Sequence, residues 1–337
     1  MLGVSIIICC HNSADKLPAT INHINKLVVP KDIPWEVIIV DNESTDGTSK
    51  VAADLLSLEL KCIARIVSEH KLGLRNARIK GAAESKYEYI SFIDDDNWIC
   101  PQWVQIVYNI MSSKSDIGAC GGASEPAFEK TPPDWFESVQ ESFAVGRQCD
   151  KSGYVPDSRG YLWGGGLTVR RTAWNNLMER GFNFLLCGRE GNKLSSGEDS
   201  ELCFALRLNG WNLWYEESLK FVHFMPENRL TLNYLNRLYR AFGDASIILD
   251  KYKFIIHGSS LSKLSLLRNC FYDSIKLSYD SARFLAAQRH TLNKNNESIA
   301  TIGYEYETGR AISCLQNMPL FLKYFNAIYN LRTSKGQ

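Results

Sequence analysis

The sequence predicts an α/β fold, a doubly wound and mostly parallel sheet followed by a C-terminal helical extension. Three observations carry this reading. Apolar, β-rich runs alternate with stretches of helical spacing from Val4 to about Ser112. Two of those runs end on aspartates, Asp41 and Asp94-Asp95-Asp96. From Thr231 onward the apolar residues recur almost wholly at helical spacing.

Each element follows from local chemistry. Val4–Cys10 is a continuous β-rich apolar run, as in a strand buried on both faces. Asp15–Leu27 carries Leu17, Ile21, Ile24 and Leu27 on one helical face, and Pro30 and Pro34 end it. Trp35–Val40 is a second buried strand that runs into Asp41. Ser44-Thr45-Asp46-Gly47 is turn and cap chemistry, opening a helix to about Leu58. Leu60–Ser68 reads as a third strand, Gly73–Glu84 as a helix and Tyr89–Ile93 as a fourth strand. Pro101 then opens a helix to about Ser112. Strands alternating with helices require right-handed crossovers. Ligands of such sheets bind outside the carboxyl ends of the strands, where Asp41 and Asp94–Asp96 fall.

Beyond this repeat the signals thin out. Ser124–Gly160 reads as one long loop-rich segment with a turn signal at Pro132-Pro133-Asp134-Trp135-Phe136. Leu167–Val169 is a short strand before Arg170-Arg171. Asp199–Asn209 is a helix closed by Gly210. Trp214-Tyr215 and Leu219–His223 bracket another strand. Helical stripes occupy Leu232–Phe242, Leu261–Ala287 and the stretch around Phe321–Ile328. The expected boundary lies near 225–235, giving one domain over 1–230 and a helical extension over 231–337.

Composition bounds the function classes. With 337 residues, 45% apolar and 22% charged, the chain is long enough for a sizeable core. Global disorder, collagen and a small disulfide scaffold are excluded. A net charge of +1 excludes a polycation, and no nucleic-acid partner is expected. The average hides an asymmetry. Residues 231–337 carry 14 Lys and Arg against 7 Asp and Glu, a net of +7, while residues 1–230 carry 24 against 30, a net of −6. Such a basic tail is either a solvated helical face or a surface for anionic lipid or a phosphate-bearing substrate. Among ten cysteines there is no C-x-x-C pair, and most sit in apolar runs, which fits a reduced cytoplasmic compartment. The opening MLGVSIIICCHNS lacks the basic region of a signal peptide. No apolar run reaches roughly 18 residues, so no transmembrane helix is expected.

Several motifs carry chemistry. No G-x-G-x-x-G follows the first strand and no P-loop occurs, which weakens dinucleotide and P-loop readings. Gly164-Gly165-Gly166 precedes a strand, so it is a tight turn or a close approach of backbone to a ligand. Three adjacent carboxylates at 94–96 repel one another and raise each other's pKa. A divalent cation, Mg2+ or Mn2+, would neutralise them together with a phosphate. Glu198-Asp199 opens a helix, where capping and service as a general base are compatible. His223 ends a strand and is either a core histidine or a further metal ligand. Among Trp163, Trp211, Trp214 and Tyr215, Trp163 is the aromatic most expected to stack on a sugar or a base.

Taken together, these pieces resemble the inverting family-2 glycosyltransferases with a GT-A fold, over roughly residues 3–230. SIIICCHNS is similar to the family's first strand and its following Asn. VIIVDNESTDGT is similar to the second strand. HKLGLRNARIKGAAESKYEYISFIDDDNWICPQW resembles the segment leading into the D-x-D motif, WGGGLTVRR the Gly-rich sugar segment, and SGEDSELCFALRLNGWNLWYEESLKFVHF the E-D block and later His. The resemblance implies roles. His11, Asn12, Asp41, Lys71, Arg78, Asp94 and Asp95 would contact the nucleotide. Asp94, Asp96 and His223 would hold a divalent cation (Mn2+ or Mg2+). Trp163, Gly164, Gly165 and Gly166 would line the donor and acceptor sugars. Asp199 would be the base, supported by Glu198. Two departures stand out: Ile79 replaces the Asn that often follows Ala-Arg, and no Q-x-x-R-W follows the E-D block. The latter implies a single addition rather than processive synthesis. The implied activity is transfer from a nucleotide-sugar, UDP-linked by resemblance, to a hydroxyl of a glycan or lipid-linked acceptor in cell-surface polysaccharide assembly. The helical extension would meet acceptor, the inner leaflet of the plasma membrane, or a second copy as a homodimer. Two alternatives differ in class. A sugar-phosphate nucleotidyltransferase needs a Gly-rich basic loop after the first strand, which His11–Asp15 does not supply. A non-catalytic binder would have a degenerate site.

Overall fold

The Ile- and Val-rich runs near the N-terminus become the middle of the sheet. In this computed structural model, which describes residues 1–57, 61–189, 194–258, 260–288 and 299–332, the predicted alternation is present. It runs β1 (Val4–Cys10), α1 (Leu17–Asn25), β2 (Trp35–Asp41), α2 (Thr48–Ser57), β3 (Ile63–Ser68), α3 (Leu74–Glu84) and β4 (Tyr89–Asp94). Leu58 and Leu60, where the sequence places a helix end and a strand start, lie outside the described residues. Then come β5 (Asn97–Ile99), α4 (Trp103–Ser113), β6 (Ile117–Phe128), α5 (Phe136–Val139), β7 (Gly153–Tyr154), β8 (Leu167–Arg170), α6 (Arg171–Glu179), α7 (Glu198–Leu208) and β9 (Asn212–Met225). The chain continues through α8 (Leu232–His257), α9 (Lys263–Gln288), α10 (Ile302–Asn317) and α11 (Phe321–Tyr329).

Backbone contacts divide the chain into two compact units. The first is Met1–Glu129, Val139–Asn176 and Trp211–Met225; the second is Lys130–Ser138, Leu177–Gly210 and Pro226–Gln337.

The first unit holds the sheet, ordered β3-β2-β1-β4-β8-β6-β9-β5, with β7 also paired to β9. β1 to β4 are mutually parallel. β8 runs antiparallel between β4 and β6, and β6 and β9 are parallel. Helices cover both faces. Ile6, Ile8, Val37 and Ile39 share one buried cluster with Leu17 and Ile21 of α1 and Trp103 and Val107 of α4. On the opposite face α3 packs on β1 and β2, and its Gly81 lies against the side chain of Ile7. Burial of each such Ile, Val or Leu contributes about 1.5–3 kcal/mol.

One expectation is corrected here. Ser124–Gly160 is not one loop: it holds the second half of β6, then α5, a 3-10 turn (Gln140–Phe143) and β7. β6 has the sequence IGACGGASEPAF and weak strand propensity. Its small residues are buried between β8 and β9, and Gly122 lets the backbone pass against the carbonyl of Leu219. The strand that Trp214-Tyr215 and Leu219–His223 bracket is β9, continuous because it pairs with β6 along nearly its whole length. Finally, β5 follows the acidic run directly and pairs antiparallel with β9.

The second unit is helical. α8 packs on α7, α9, α10 and α11. α8 and α10 touch backbone to backbone. A Cβ at Gly243 would overlap the carbonyl of Tyr306, and one at Gly309 the carbonyl of Arg240. Ser313 donates to the carbonyl of Asp244 at 2.9 Å and Arg310 pairs with Asp250 at 3.0 Å, pinning the crossing. No described helix is long and apolar enough to cross a membrane.

Candidate active site

Strand register gathers the candidate residues of the first unit. Cys10 is paired with Asp41 and Cys9 with Asp94, so β1, β2 and β4 end along one edge of the sheet. The chain after β1 turns sharply at Asn12, which has a positive φ of 53°. Asn12 Oδ1 accepts from the backbone N–H of Thr45 at 2.8 Å, and Ser44 Oγ accepts from Asn12 N–H at 3.0 Å. His11 Nδ1 lies 2.7 Å from the carbonyl of Asn42. Asp41 is buried and accepts from Ser44 N–H at 3.2 Å and from the Ser49 hydroxyl. His11, Asn12 and Asp41 therefore stand together at the ends of β1 and β2. Asn42, which the sequence reading passed over, ties them to the next loop. Its amide donates to the carbonyls of Glu69 and Lys71 and accepts from Gly73 N–H at 2.7 Å. Lys71 is exposed on that loop, ahead of α3.

The three acids after β4 take three directions. Asp94 Oδ1 meets Arg78 of α3 at 3.5 Å, and the Arg78 guanidinium lies over Phe92, 5.8 Å from its centroid. Arg78 thus sits on Asp94. Asp95 turns toward the start of α1, where the Ser13 hydroxyl and Lys16 at 3.3 Å engage its carboxylate and Thr20 donates to its carbonyl at 2.6 Å. Burial and the Asp96 charge still raise the Asp95 pKa. Asp96 is buried, and His223 Nε2 lies 3.6 Å from its Oδ1. The β5–β9 ladder makes this pair, since Asn97 is opposite His223 and Phe224 N–H donates to the Asp96 carbonyl at 2.9 Å.

The glycine turn completes this group. Gly164–Gly166 precedes β8, with Leu167 N–H donating to the Gly164 carbonyl at 3.2 Å. A Cβ at Gly165 would stand 2.8 Å from Asn97 Nδ2 and 3.6 Å from Asp94 Oδ2. The turn therefore passes close over the acids. Asn97 is buried at 1% exposure, and neither polar atom of its amide has a hydrogen-bond partner. An unsatisfied buried amide costs about 1–3 kcal/mol, which a ligand's phosphate or sugar oxygens would offset. Trp163 is buried beneath Arg159, whose guanidinium lies 5.1 Å from the ring centroid. Buried Gln148 orients that segment by accepting from Trp163 N–H at 2.7 Å and donating to the Gly122 carbonyl at 2.8 Å.

Among the described residues, no group of three or more His, Cys, Asp or Glu side chains is gathered as a metal cluster. Asp96 and His223 nevertheless fit as ligands of a divalent cation. Such ions take one or two protein carboxylates and complete their shell with water and substrate oxygens. The Asn97 amide, buried and unpartnered, follows Asp96 in the chain, and the Gly165 backbone passes close to it.

The second unit carries the E-D block on α7. Gly197, with φ of 98°, precedes a first turn holding Glu198, Asp199 and Glu201, which complement the positive end of the helix dipole. Glu198 and Glu201 are three residues apart and share the inner face. Glu198 is buried against Gly188, where a Cβ would come within 2.7 Å of its carboxyl carbon. Glu201 is fully buried and accepts from Leu185 N–H at 3.0 Å, Leu186 N–H at 2.9 Å and the Tyr252 hydroxyl at 3.1 Å. Burial lifts its pKa to about 7 against these hydrogen bonds. Asp199 lies off that face, half-buried, and its Oδ1 accepts from Ser200 N–H at 2.7 Å. The first turn therefore divides its labour: two glutamates anchor the preceding loop, and the aspartate is turned elsewhere.

The sheet, its reversed β8 and the acids at its strand ends place the fold among GT-A transferases. The chain belongs to glycosyl transferase family 2, whose sequence profile matches residues 5–180. It is similar, at 35% identity over 97 residues, to the UDP-Glc:alpha-D-GlcNAc-diphosphoundecaprenol beta-1,3-glucosyltransferase WfaP of Escherichia coli, over 28% of this chain and 36% of that protein. The chain spans about half or less of the length of the curated relatives it matches. Among solved structures, S. aureus TarS 1-349 in complex with UDP-GlcNAc is similar with a TM-score of 0.57 and 14% identity, over 98% of this chain and 90% of that one. The mannosyltransferase PcManGT from Pyrobaculum calidifontis, in complex with GDP-Man and Mn2+, gives 0.56 and 16%, over 93% and 87%. At these identities the likeness is one of fold.

Proposed function

We propose that this chain is an inverting, cation-dependent glycosyltransferase of cell-surface polysaccharide assembly. It moves a sugar from a nucleotide-sugar, UDP-linked in our reading, to a hydroxyl of a glycan or lipid-linked acceptor. The observation that carries this is the buried Asp96–His223 pair beside Asp94, Asn97 and the Gly165 turn, at the strand ends of a family-2 chain. The WfaP name, with its UDP-glucose donor and diphosphoundecaprenol acceptor, supports the donor and acceptor class. The Mn2+ of PcManGT supports the cation.

In this reading Asp41, with His11 and Asn12, holds the nucleoside, and Lys71 faces its phosphates. Asp96 and His223 would hold the cation, with Asp94 paired to Arg78 beside them. Bound there, a divalent cation supplies charge stabilisation to the departing diphosphate. Trp163 and the Gly164–Gly166 turn shape the sugar pocket. Asp199 takes the proton from the acceptor hydroxyl as its oxygen bonds to the anomeric carbon. The bond from that carbon to the phosphate oxygen breaks, and its electron pair leaves with the nucleoside diphosphate. Glu198 and Glu201 position Asp199 through the first turn of α7.

Thermal-shift titration with UDP, GDP and their sugar conjugates, each with and without Mn2+, tests the donor site. Stabilisation by one nucleotide that requires the cation is expected. No shift with any of them would move weight to a degenerate site. Asp199→Asn is expected to keep that shift and lose about 100-fold or more in transfer. Near wild-type turnover in this variant would refute the assignment of the base.

A further inference from the structure

α9 has two faces of opposite character. Its inner face buries Leu266, Cys270, Ser274 and Ser281 within the helical unit, where it packs on α8 and α10. Its outer face carries Leu264, Tyr272, Ile275 and Tyr279, exposed by 76%, 71%, 45% and 65%, while Phe271 at its margin packs edge-on against Phe321 of α11. These positions recur at helical spacing, so they form one continuous stripe. At a 1.5 Å rise per residue the stripe is about 22 Å long. Single exposed apolar residues need no explanation, but a contiguous row marks a surface that another phase or molecule covers.

The charges say what covers it. Arg268 lies within the stripe, and exposed Lys276 and Arg283 flank it. The two acids of α9, Asp273 and Asp280, fall roughly 140–160° around the axis from Ile275 at about 100° per residue. The apolar row is therefore bordered by cations with no acid in it, in a tail of net charge +7. Two tyrosines add rings with a polar tip, suited to a boundary between hydrocarbon and water. A second copy is less well matched. Two such faces paired about a two-fold axis would bury the Arg268 of each copy in the apolar seam.

We propose that the outer face of α9 is a docking surface for an anionic lipid bilayer, on which the helix lies in the interfacial plane. The proposal deepens the reading of a lipid-linked acceptor by naming a surface that meets the acceptor's membrane. It stands on α9 alone, so the two can fail separately.

The test uses the full chain and sedimentation with vesicles of phosphatidylcholine alone or mixed with phosphatidylglycerol. Binding is expected to the mixed vesicles and to weaken as salt rises. Replacing Leu264, Tyr272, Ile275 and Tyr279 together by Ser is expected to reduce vesicle binding by about tenfold or more. Arg268→Ala with Lys276→Ala is expected to cost about thirtyfold on the anionic vesicles alone. All six positions are exposed, so circular dichroism and the nucleotide-induced thermal shift should match those of the wild type. Absence of binding by the wild type to anionic vesicles, or undiminished binding by the fourfold variant, overturns the proposal. A lipid-free dimer abolished by the same Ser substitutions would assign the face to a second copy instead. Transfer to a soluble acceptor reports on the active site separately. Its loss in the wild type with vesicle binding intact would sink the catalytic reading and leave the docking surface standing.

Discussion

At the scale of single residues, the chemistry is carried by side chains whose neighbours decide their role. Asp94, Asp95 and Asp96 are adjacent and identical, yet one meets Arg78, one meets Ser13 and Lys16, and one meets His223. The sequence announces the cluster and His223, because acids at strand ends and a histidine closing a strand are visible patterns. It does not say which acid faces which partner, since that depends on the β5–β9 pairing. Asn42, Gln148 and Glu201 escape a sequence reading for a related reason. A buried amide or carboxylate that satisfies backbone groups has no spacing signature, and only burial reveals it; the same holds for Asn97, buried with its amide unpartnered. Glu201 offers a direct measurement. Its pKa is about 7 in the folded chain and near 4.5 when unfolded. Between those values the folded state retains a proton that the unfolded chain has released, so stability falls as pH rises. The loss is on the order of 3 kcal/mol. Glu201→Gln is expected to flatten the calorimetric melting profile between pH 5 and 8. A variant that keeps the wild-type slope would remove Glu201 from this role.

At the scale of elements, periodicity fared well where one face or both faces are buried. β1, β2, β4 and the helices between them are legible because Ile and Val runs and helical stripes match their burial. β6 was not legible. Its glycines and alanines lack strand propensity, and it is a strand because β8 and β9 flank it and leave space only for small side chains. The same logic governs the crossing of α8 and α10. Gly243 and Gly309 read as ordinary helix interiors, where glycine costs about 1 kcal/mol relative to alanine. The structure repays that with backbone contact, each glycine facing a carbonyl of the other helix. Gly309→Val is therefore expected to push the helices apart and destabilise the protein by about 1–3 kcal/mol. Thermal denaturation should show this as a melting temperature lower by several degrees, with nucleotide binding at saturation retained. An unchanged melting temperature would mean that the crossing is looser than described.

At the scale of the whole molecule, the charge asymmetry and the division into units are the informative features. The sequence suggests a boundary near 230; the two units interleave, and the helical one takes up the chain at Lys130, Leu177 and Pro226. Yet α7, with the E-D block, packs on α8, and Tyr252 of α8 donates to Glu201 of α7. Residues 1–230 made alone would leave that carboxylate without its hydroxyl and α7 without the surface that covers it. Such a fragment is expected to lack a cooperative unfolding transition, while the full chain has one. A sharp transition in the fragment would show that α7 is held by other means.

The interleaving of the two units also sets a timetable for synthesis. The chain passes from one unit to the other five times. β9, which lies between β6 and β5, leaves the ribosome only after α7 has been made. The sheet therefore waits for its partner to β6 and β5 while α7, already extruded, waits for α8. Domains that fold as they emerge escape this delay. Here the nascent chain must carry two unfinished cores at once, and the cells that make it have reason to hold those exposed surfaces with chaperones until the last helices arrive.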